Sequence, residues 1–565
     1  MTRVADWIDQ MLAALAAGSP RRVTLLLVCL SLITFLPGFA GLPSLDRDEP
    51  RFAQATKQML TSDDYVDIRF QDGPRYKKPV GIYWLQSAAV AVVGQPGDNA
   101  IWTYRLPSLL AAILSVVFTA GIAARFGGQA AGLSAGLLLL GTFLLGAEAR
   151  LATTDACLLA AILASQSVVA GLYRKSGATG FEPGRTAPVS LSGFLLFWGA
   201  LAATVLLKGP IGLMVVGATI AVLAALHRST GWLRHLRPVA GIALLLGLVL
   251  PWYIAITLRS GMAFWDEALG RDLLSKIGSA QERHGAPPGS YVAALWLMFF
   301  PASVALLAAL PAFWRNRRLP GLVFALAWVV PGWLIFELTA TKLVHYVLPF
   351  YPALAIAVAL VWPWVATRPL PRWTWWGISV ICILPLAVLT GIAGFAVLRG
   401  EPPPVALFAG GLVLTGGLWF ALGAFRRGLI HAPLIGLWAA GLGLAIGVFP
   451  GVAAIAAIWP SSGIIAISLP TAACPVRPIF AEGYGEPSLV FLSPAPVAWV
   501  GAEGAAEAIA ADPCGIAVVS APARTAFLAR ASQLAVTPAQ LGLVSGLNLG
   551  NGREVTLLVF GMPPQ

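Results

Sequence analysis

Long uncharged stretches alternate with short polar clusters over most of the chain. Runs of suitable length lie near 22–41, 104–124, 129–146, 151–172, 190–207, 209–226, 238–258, 290–311, 319–339, 343–366, 374–398, 404–424 and 432–456. Each is long enough to cross the hydrocarbon layer of a bilayer as a helix. Read together, they predict a polytopic α-helical membrane protein of about thirteen spans. The pair 190–207 and 209–226 would measure roughly 55 Å as one helix at 1.5 Å per residue. A hairpin turning at Lys208-Gly209-Pro210 is therefore expected. "VGIYWLQSAAVAVV" at 80–93 is apolar but short, which suits an interfacial or re-entrant helix.

The pattern changes after Trp459. Short β-prone runs ("SLVFL", "GIAVVS", "EVTLLVF") alternate with helix-like ones ("AEGAAEAIAAD", "ARTAFLARASQL"), so 459–565 reads as a small α/β domain. "NLGNGRE" predicts a hairpin turn before the last strand. The division is thus 1–458, a membrane domain with external loops at 42–103 and 259–290, and 459–565, the α/β domain. Cys474 and Cys514 fall in the latter, as a disulfide or as two buried thiols.

Composition agrees with this class: 58% of the 565 residues are hydrophobic and only 11% are charged. The net charge of +12 is explained by where the cations lie. Arg21 and Arg22, Arg125, "YRKSG" at 173–177, "HRSTGWLRHLR" at 227–237, "WRNRR" at 314–318, "TRPLPR" at 367–372 and "RRG" at 426–428 alternate with less basic loops. This is the positive-inside pattern with a cytoplasmic N-terminus, and it points away from nucleic acid as a partner. It implies a multi-pass protein of the cell inner membrane whose C-terminal domain is periplasmic.

The opposite face collects mixed charges instead. "LDRDEPRF" at 45–52 follows the first span, "EAR" at 148–150 and Asp155 the third, and Lys208 the fifth. "FWDEALGRDLLSKIGSAQERHG" at 264–285 follows the seventh and "TKLVHY" at 341–346 the ninth. Ionisable groups at membrane depth are costly and tend to be functional. Arg69 and Arg105 read as ordinary interfacial charges. "DRDEPRFAQATKQMLTS" reads as a short amphipathic helix on the outer leaflet, with Asp48 as N-cap, Pro50 in the first turn, and Phe52, Ala55, Thr56 and Met59 on one face. A carboxylate beside several cations at a membrane surface suits transfer of a sugar from a polyprenyl phosphate. The leaving phosphate needs cations as its charge grows, and an acceptor hydroxyl needs a base.

"DEPRF", "YKKPVGIYW", "RLATTDACL", "LLKGPIGLM", "PWY" and "TKLVHYVLPFYPALA", in that order, resemble motifs of the GT-C integral membrane glycosyltransferases. The lipid A aminoarabinose transferases are the nearer likeness and the protein O-mannosyltransferases the more distant. The resemblance covers roughly 40–355 and implies an inverting glycosyltransferase using a polyprenyl-phosphate sugar donor and a lipid-linked or glycan acceptor. It implies Asp48 and Asp155 as catalytic acids. Arg51, Lys78, Arg271, Lys342 and Tyr346 would lie around the donor phosphate, and Glu49, Lys77, Lys208 and His284 elsewhere along the substrates. His345 stands where the aminoarabinose enzymes lack a histidine, and it either binds the donor phosphate or packs at the interface. Lys77 stands where family members often carry a glutamate associated with a divalent metal, so no metal or other cofactor is expected to be required. Arg47, Arg69, Arg75 and Lys77 would suit an anionic acceptor. A lipid flippase or transporter is the rival class. It would place polar groups near the midplane and show inverted repeats, and neither is visible.

Overall fold

The computed structural model describes residues 2–95, 97–177, 189–268, 270 and 285–563. Nine helices among them are long and apolar enough to cross a membrane, or ten if Ser290–Met298 and Ala302–Arg315, bent by 118°, form one broken span. The expected thirteen are not reached, for three physical reasons. Pro20–Phe35 and Ile211–His227 are only 16 and 17 residues long. The straight span expected at 290–311 is instead the bent pair, with the Phe300 carbonyl at the break receiving Phe143 N–H at 3.0 Å. Ile101–Leu140 runs unbroken by any loop over 40 residues, roughly 60 Å if straight, but it is two helices meeting at the non-helical Gly128 (φ 75°, ψ 179°), so the runs expected at 104–124 and 129–146 are both present. A Cβ on Gly132 would stand 2.8 Å from the Ala120 carbonyl, so the two arms fold back on each other.

The Lys208-Gly209-Pro210 turn separates Leu191–Lys208 from Ile211–His227, with Gly209 at φ +64° where an L side chain would be strained. A Cβ on Gly212 would lie 2.3 Å from Thr204, so the second helix packs closely against the first.

The two ends of the bundle differ chemically. At one end the basic loops meet each other: Tyr173 Oη lies 3.0 Å from His227 Nε2, and Arg315 and Arg368 both stack on Trp364. An N-terminal helix that the hydropathy pattern does not reveal, Thr2–Ala17, closes this end. Its Asp6 pairs with Arg427, and its Asp9 accepts His431 N–H and Ala432 N–H at the start of the last long apolar helix.

The other end carries the 36–100 segment and the C-terminal sheet. Glu49–Ser62 buries Phe52, Ala55, Thr56 and Met59 as expected, but against protein rather than lipid. Phe52 meets Tyr83 of Gly81–Val93 at 5.6 Å, and Thr56 Oγ1 donates to Gln86 at 2.7 Å. A two-residue hairpin, β1 (Arg69–Phe70) and β2 (Gly73–Pro74), follows this helix.

The sheet proper contains β3 (Ile479–Ala481), β4 (Val497–Trp499), β5 (Ile516–Ser520), β6 (Ala539–Asn548) and β7 (Arg553–Gly561), in the order β4-β3-β5-β7-β6. β3 runs parallel to both neighbours, and β5, β7 and β6 are antiparallel. The turn at 548–553 joins β6 to β7 as the sequence suggests. "SLVFL" is not a strand: Pro487 opens a helix, Pro487–Leu492, whose Phe491 packs edge-on to Tyr104 of the membrane bundle. Cys474 and Cys514 are disulfide-bonded, with Cα atoms 5.4 Å apart.

Candidate functional site

The strip Leu45–Phe52 is anchored by its glutamate. Glu49 is 2% exposed and receives Arg105 Nε at 2.7 Å and Nη2 at 2.9 Å, together with the Leu45 and Ala152 amides at 2.8 and 2.9 Å. Arg105, fully buried, also donates to the carbonyls of Phe39, Leu42 and Pro43. It is therefore a structural clamp and not the interfacial charge suggested by its sequence context. Glu49, expected along the substrates, spends its oxygens on this clamp. Arg150 does similar work beside it, donating to the carbonyls of Thr34, Pro37 and Gly146 and stacking over Phe449 at 4.1 Å.

With Glu49 held inward, the neighbouring Asp48 faces out. It occupies the N-cap position as expected, but its side chain makes no capping hydrogen bond. Its carboxylate is 64% exposed and lies 3.7 Å from Arg75, whose guanidinium stacks on Phe52 at 4.8 Å. Asp48 opens onto a cavity of about 600 Å³ that also receives Arg51, Lys77, Lys78, Asp155, Lys208, His345 and Tyr346. Residues from 45 to 346 thus meet around one space.

The deeper part of the cavity is an ionic network. Lys208 Nζ bonds to Asp155 at 2.6 Å and lies 5.3 Å from the Tyr346 ring. The His345 ring stands edge-on to Tyr346, with its Nδ1 4.0 Å from Glu148. Glu148, at the end of the short helix Phe143–Glu148 between two spans, receives Thr153 Oγ1 at 3.0 Å. Burial pushes its carboxyl up to about 8, and the charge of Asp155 adds to the effect.

Not every expected residue arrives. Lys342 Nζ donates to the Thr339 carbonyl at 2.6 Å, and the residue is absent from the cavity lining, while its neighbours Thr341 and Leu343 are part of it. Side-chain direction in a coil segment is set by such local carbonyls, which the motif does not encode. Arg271 and His284 lie outside the described residues. No group of three or more His, Cys, Asp or Glu side chains able to hold a metal ion occurs among the described residues. Lys77, an ammonium, cannot supply the missing ligand.

The C-terminal sheet contributes lining residues that motif reading missed: Gly485, Glu486, Gly550 and Asn551. Its docking is polar and specific. Ser488 N–H donates to Asp46 at 3.0 Å, and Arg47 Nη2 donates to the Gly550 carbonyl at 2.8 Å. Burial raises the carboxyls of both Asp46 and Glu486; the charge of Glu49 raises Asp46 further, and that of Asp46 raises Glu486.

Comparison with known proteins places this arrangement. Residues 45–266 match the family model described as dolichyl-phosphate-mannose-protein mannosyltransferase. The undecaprenyl phosphate-alpha-4-amino-4-deoxy-L-arabinose arabinosyl transferase of Aeromonas salmonicida (strain A449) is 27% identical over 318 residues, 56% of each chain. The protein of the same name from Pseudomonas aeruginosa (strain LESB58) is 27% identical over 407 residues, 68% of this chain and 62% of that one. The matches thus span a little over half the length of these curated relatives. The crystal structure of ArnT from Cupriavidus metallidurans bound to undecaprenyl phosphate superposes with a TM-score of 0.72, over 96% of this chain and 99% of that one, at 20% identity. The fold is therefore that of ArnT, and the resemblance read from the six motifs holds in sequence and in architecture.

Proposed function

We propose that this protein moves a sugar from a polyprenyl-phosphate donor to an acceptor of the cell envelope, on the periplasmic face of the inner membrane. The observation that carries the reading is the meeting of an exposed carboxylate, Asp48, with Arg51, Arg75, Lys78 and Lys208 in one cavity. These cations come from three separate stretches of chain, and the cavity lies at the end of the bundle opposite the basic loops. The undecaprenyl phosphate named in the ArnT structure and in the transferase relatives supplies the donor class. The positive-inside pattern supports a cytoplasmic N-terminus and a periplasmic C-terminal domain from 459 onward.

In this mechanism the donor's lipid tail lies in the bilayer and its phosphodiester enters the cavity. As the bond from the anomeric carbon to the phosphate oxygen breaks, the phosphate gains a charge, and Arg51, Lys78 and Lys208 stabilise it. Asp48, held outward by the Glu49–Arg105 clamp, accepts the proton of the attacking group. Displacement from the face opposite the phosphate inverts the anomeric centre. Asp155 orients Lys208, and His345 and Tyr346 complete the wall beside it. Every step runs through these side chains, and among the described residues no group of three or more His, Cys, Asp or Glu could hold a metal ion.

The test uses the protein in lipid nanodiscs with radiolabelled polyprenyl-phosphate sugars and an envelope glycolipid extract. Donor consumption that is lost in Asp48→Asn supports the reading. Intact donor merely crossing the bilayer of a proteoliposome, with no consumption, would sink it in favour of a flippase.

A further inference from the structure

One wall of the cavity comes from two loops of the C-terminal sheet, Gly485-Glu486 and Gly550-Asn551. The loops approach very closely: a Cβ on Gly550 would stand 2.3 Å from Glu486 Oε1, so a side chain there would displace the carboxylate. Asp46 sits against the same wall, receiving Ser488 N–H. The surface offered to a substrate is thus made of carboxyl oxygens and peptide groups. Carboxylate and carbonyl oxygens accept hydrogen bonds from a hydroxyl, whereas a phosphate brings only further acceptors and negative charge.

Of the four cations that would suit an anionic acceptor, Lys77 lines the cavity beside Lys78, and the other three are engaged by groups of the protein. Arg47 is bonded to the Gly550 carbonyl, Arg69 to Asp67 at 2.8 Å, and Arg75 lies between Phe52 and Asp48. Deeper in, Lys208 is held by Asp155. The donor phosphate therefore has Lys78 and Lys208 on the side of the membrane helices, and the opposite wall carries the carboxyls of Asp46 and Glu486 with Arg47 and Arg51 near Glu486.

We propose that the sheet loops form the acceptor subsite, that the group received there is an uncharged hydroxyl of a sugar or polyol rather than a phosphate, and that Glu486 is its specificity-determining residue. This rests on the transferase reading above. The acceptor hydroxyl oxygen forms the new bond to the anomeric carbon. The bond from that carbon to the donor phosphate oxygen breaks, and its electron pair leaves with the polyprenyl phosphate. The hydroxyl proton passes to the Asp48 carboxylate.

Two readouts test the proposal on the full chain in nanodiscs. In the first, wild-type protein transfers labelled sugar to a total envelope glycolipid extract, treated beforehand with phosphatase or left untreated. The label is expected on the product in both cases, and expected to survive mild acid that cleaves glycosyl phosphates. Label released by mild acid, label lost after phosphatase treatment, or no transfer above donor hydrolysis overturns the proposal. Complete absence of donor consumption instead refutes the transferase reading itself, so the two failures are distinct. In the second readout, Glu486→Gln keeps the shape of the wall but weakens its acceptance. The acceptor KM is expected to rise about tenfold, as for one hydrogen bond to a charged group, while the donor KM stays in place. Equal changes in both constants would overturn the assignment of Glu486.

Discussion

Replacing Arg105 by methionine tests whether the clamp behind the cavity acts as described. Arg105 makes five hydrogen bonds, two to Glu49 and three to the carbonyls of Phe39, Leu42 and Pro43, with both side chains out of reach of solvent. Arg105→Met leaves Glu49 ionised and buried with only the Leu45 and Ala152 amides as partners. Removing one member of such a pair costs about 3–5 kcal/mol. Burial is nearly complete for both partners, so solvent screening takes little from that figure. Arg105→Lys keeps the charge, but an ammonium has only three donors for the five acceptors, so a loss of about 1.5–3 kcal/mol is expected. Adding Glu49→Gln to Arg105→Met removes the stranded charge and should recover about 1 kcal/mol or more relative to Arg105→Met alone, a coupling within the usual range for contacting residues. Unfolding titrations in mild detergent compare wild type, Arg105→Met, Glu49→Gln, their double variant and Arg105→Lys. An Arg105→Met protein destabilised by less than about 1 kcal/mol, or single effects that simply add, would refute the clamp.

Asp48→Asn should lower transfer by about 10²–10⁴-fold while photo-crosslinked donor still binds, because a positioned base is lost and the phosphate cations remain. Lys208→Met should raise the donor KM and also expose Asp155 to an unpaired, buried state, so that Asp155→Asn in the same chain partly restores stability; a binding assay and thermal denaturation separate the two effects. Activity should be unchanged by EDTA and by added divalent cations, and a chelator-sensitive enzyme would overturn the metal-free mechanism. Glu148 is protonated more readily in the folded protein than in the unfolded chain, so its contribution is greatest at low pH and is lost as pH rises from about 4.5 toward 8. Glu148→Gln should flatten that decline in a pH series of unfolding curves. Reducing Cys474–Cys514, which closes a loop with a sequence separation of 40, should destabilise the sheet by about 4 kcal/mol, readable as increased proteolysis after Trp459.

The membrane helices were largely legible because bilayer thickness imposes a length on each apolar run, and Lys208-Gly209-Pro210 marks its own turn. The exceptions are places where tertiary contacts decide. The arm from Gln129 to Leu140 is set by the backbone of Gly128, and the bend before Ala302 leaves the Phe300 carbonyl to a partner far along the chain. β3 and β4 have three residues each, too few to display an alternating pattern. The site was legible as a set of residue types, since Asp48, Arg51, Lys78, Asp155, Lys208, His345 and Tyr346 all line one cavity. Their partners were not. Nothing near Arg105 in the sequence announces Glu49, and nothing near Asp46 announces Ser488. Lys342 shares its motif with Tyr346, yet one local carbonyl turns its ammonium aside.

The bond from Arg47 to Gly550 has a consequence for how the protein comes into being. The motifs read from the sequence end by residue 355, yet the strip bearing Asp48 gains the Gly550 partner of Arg47 only when the β6–β7 hairpin is made. A nascent or truncated polypeptide would therefore hold all the signature residues around an unfinished chamber. The Gly550 carbonyl that holds Arg47 and the Asn551 part of the cavity lining would both be missing from it.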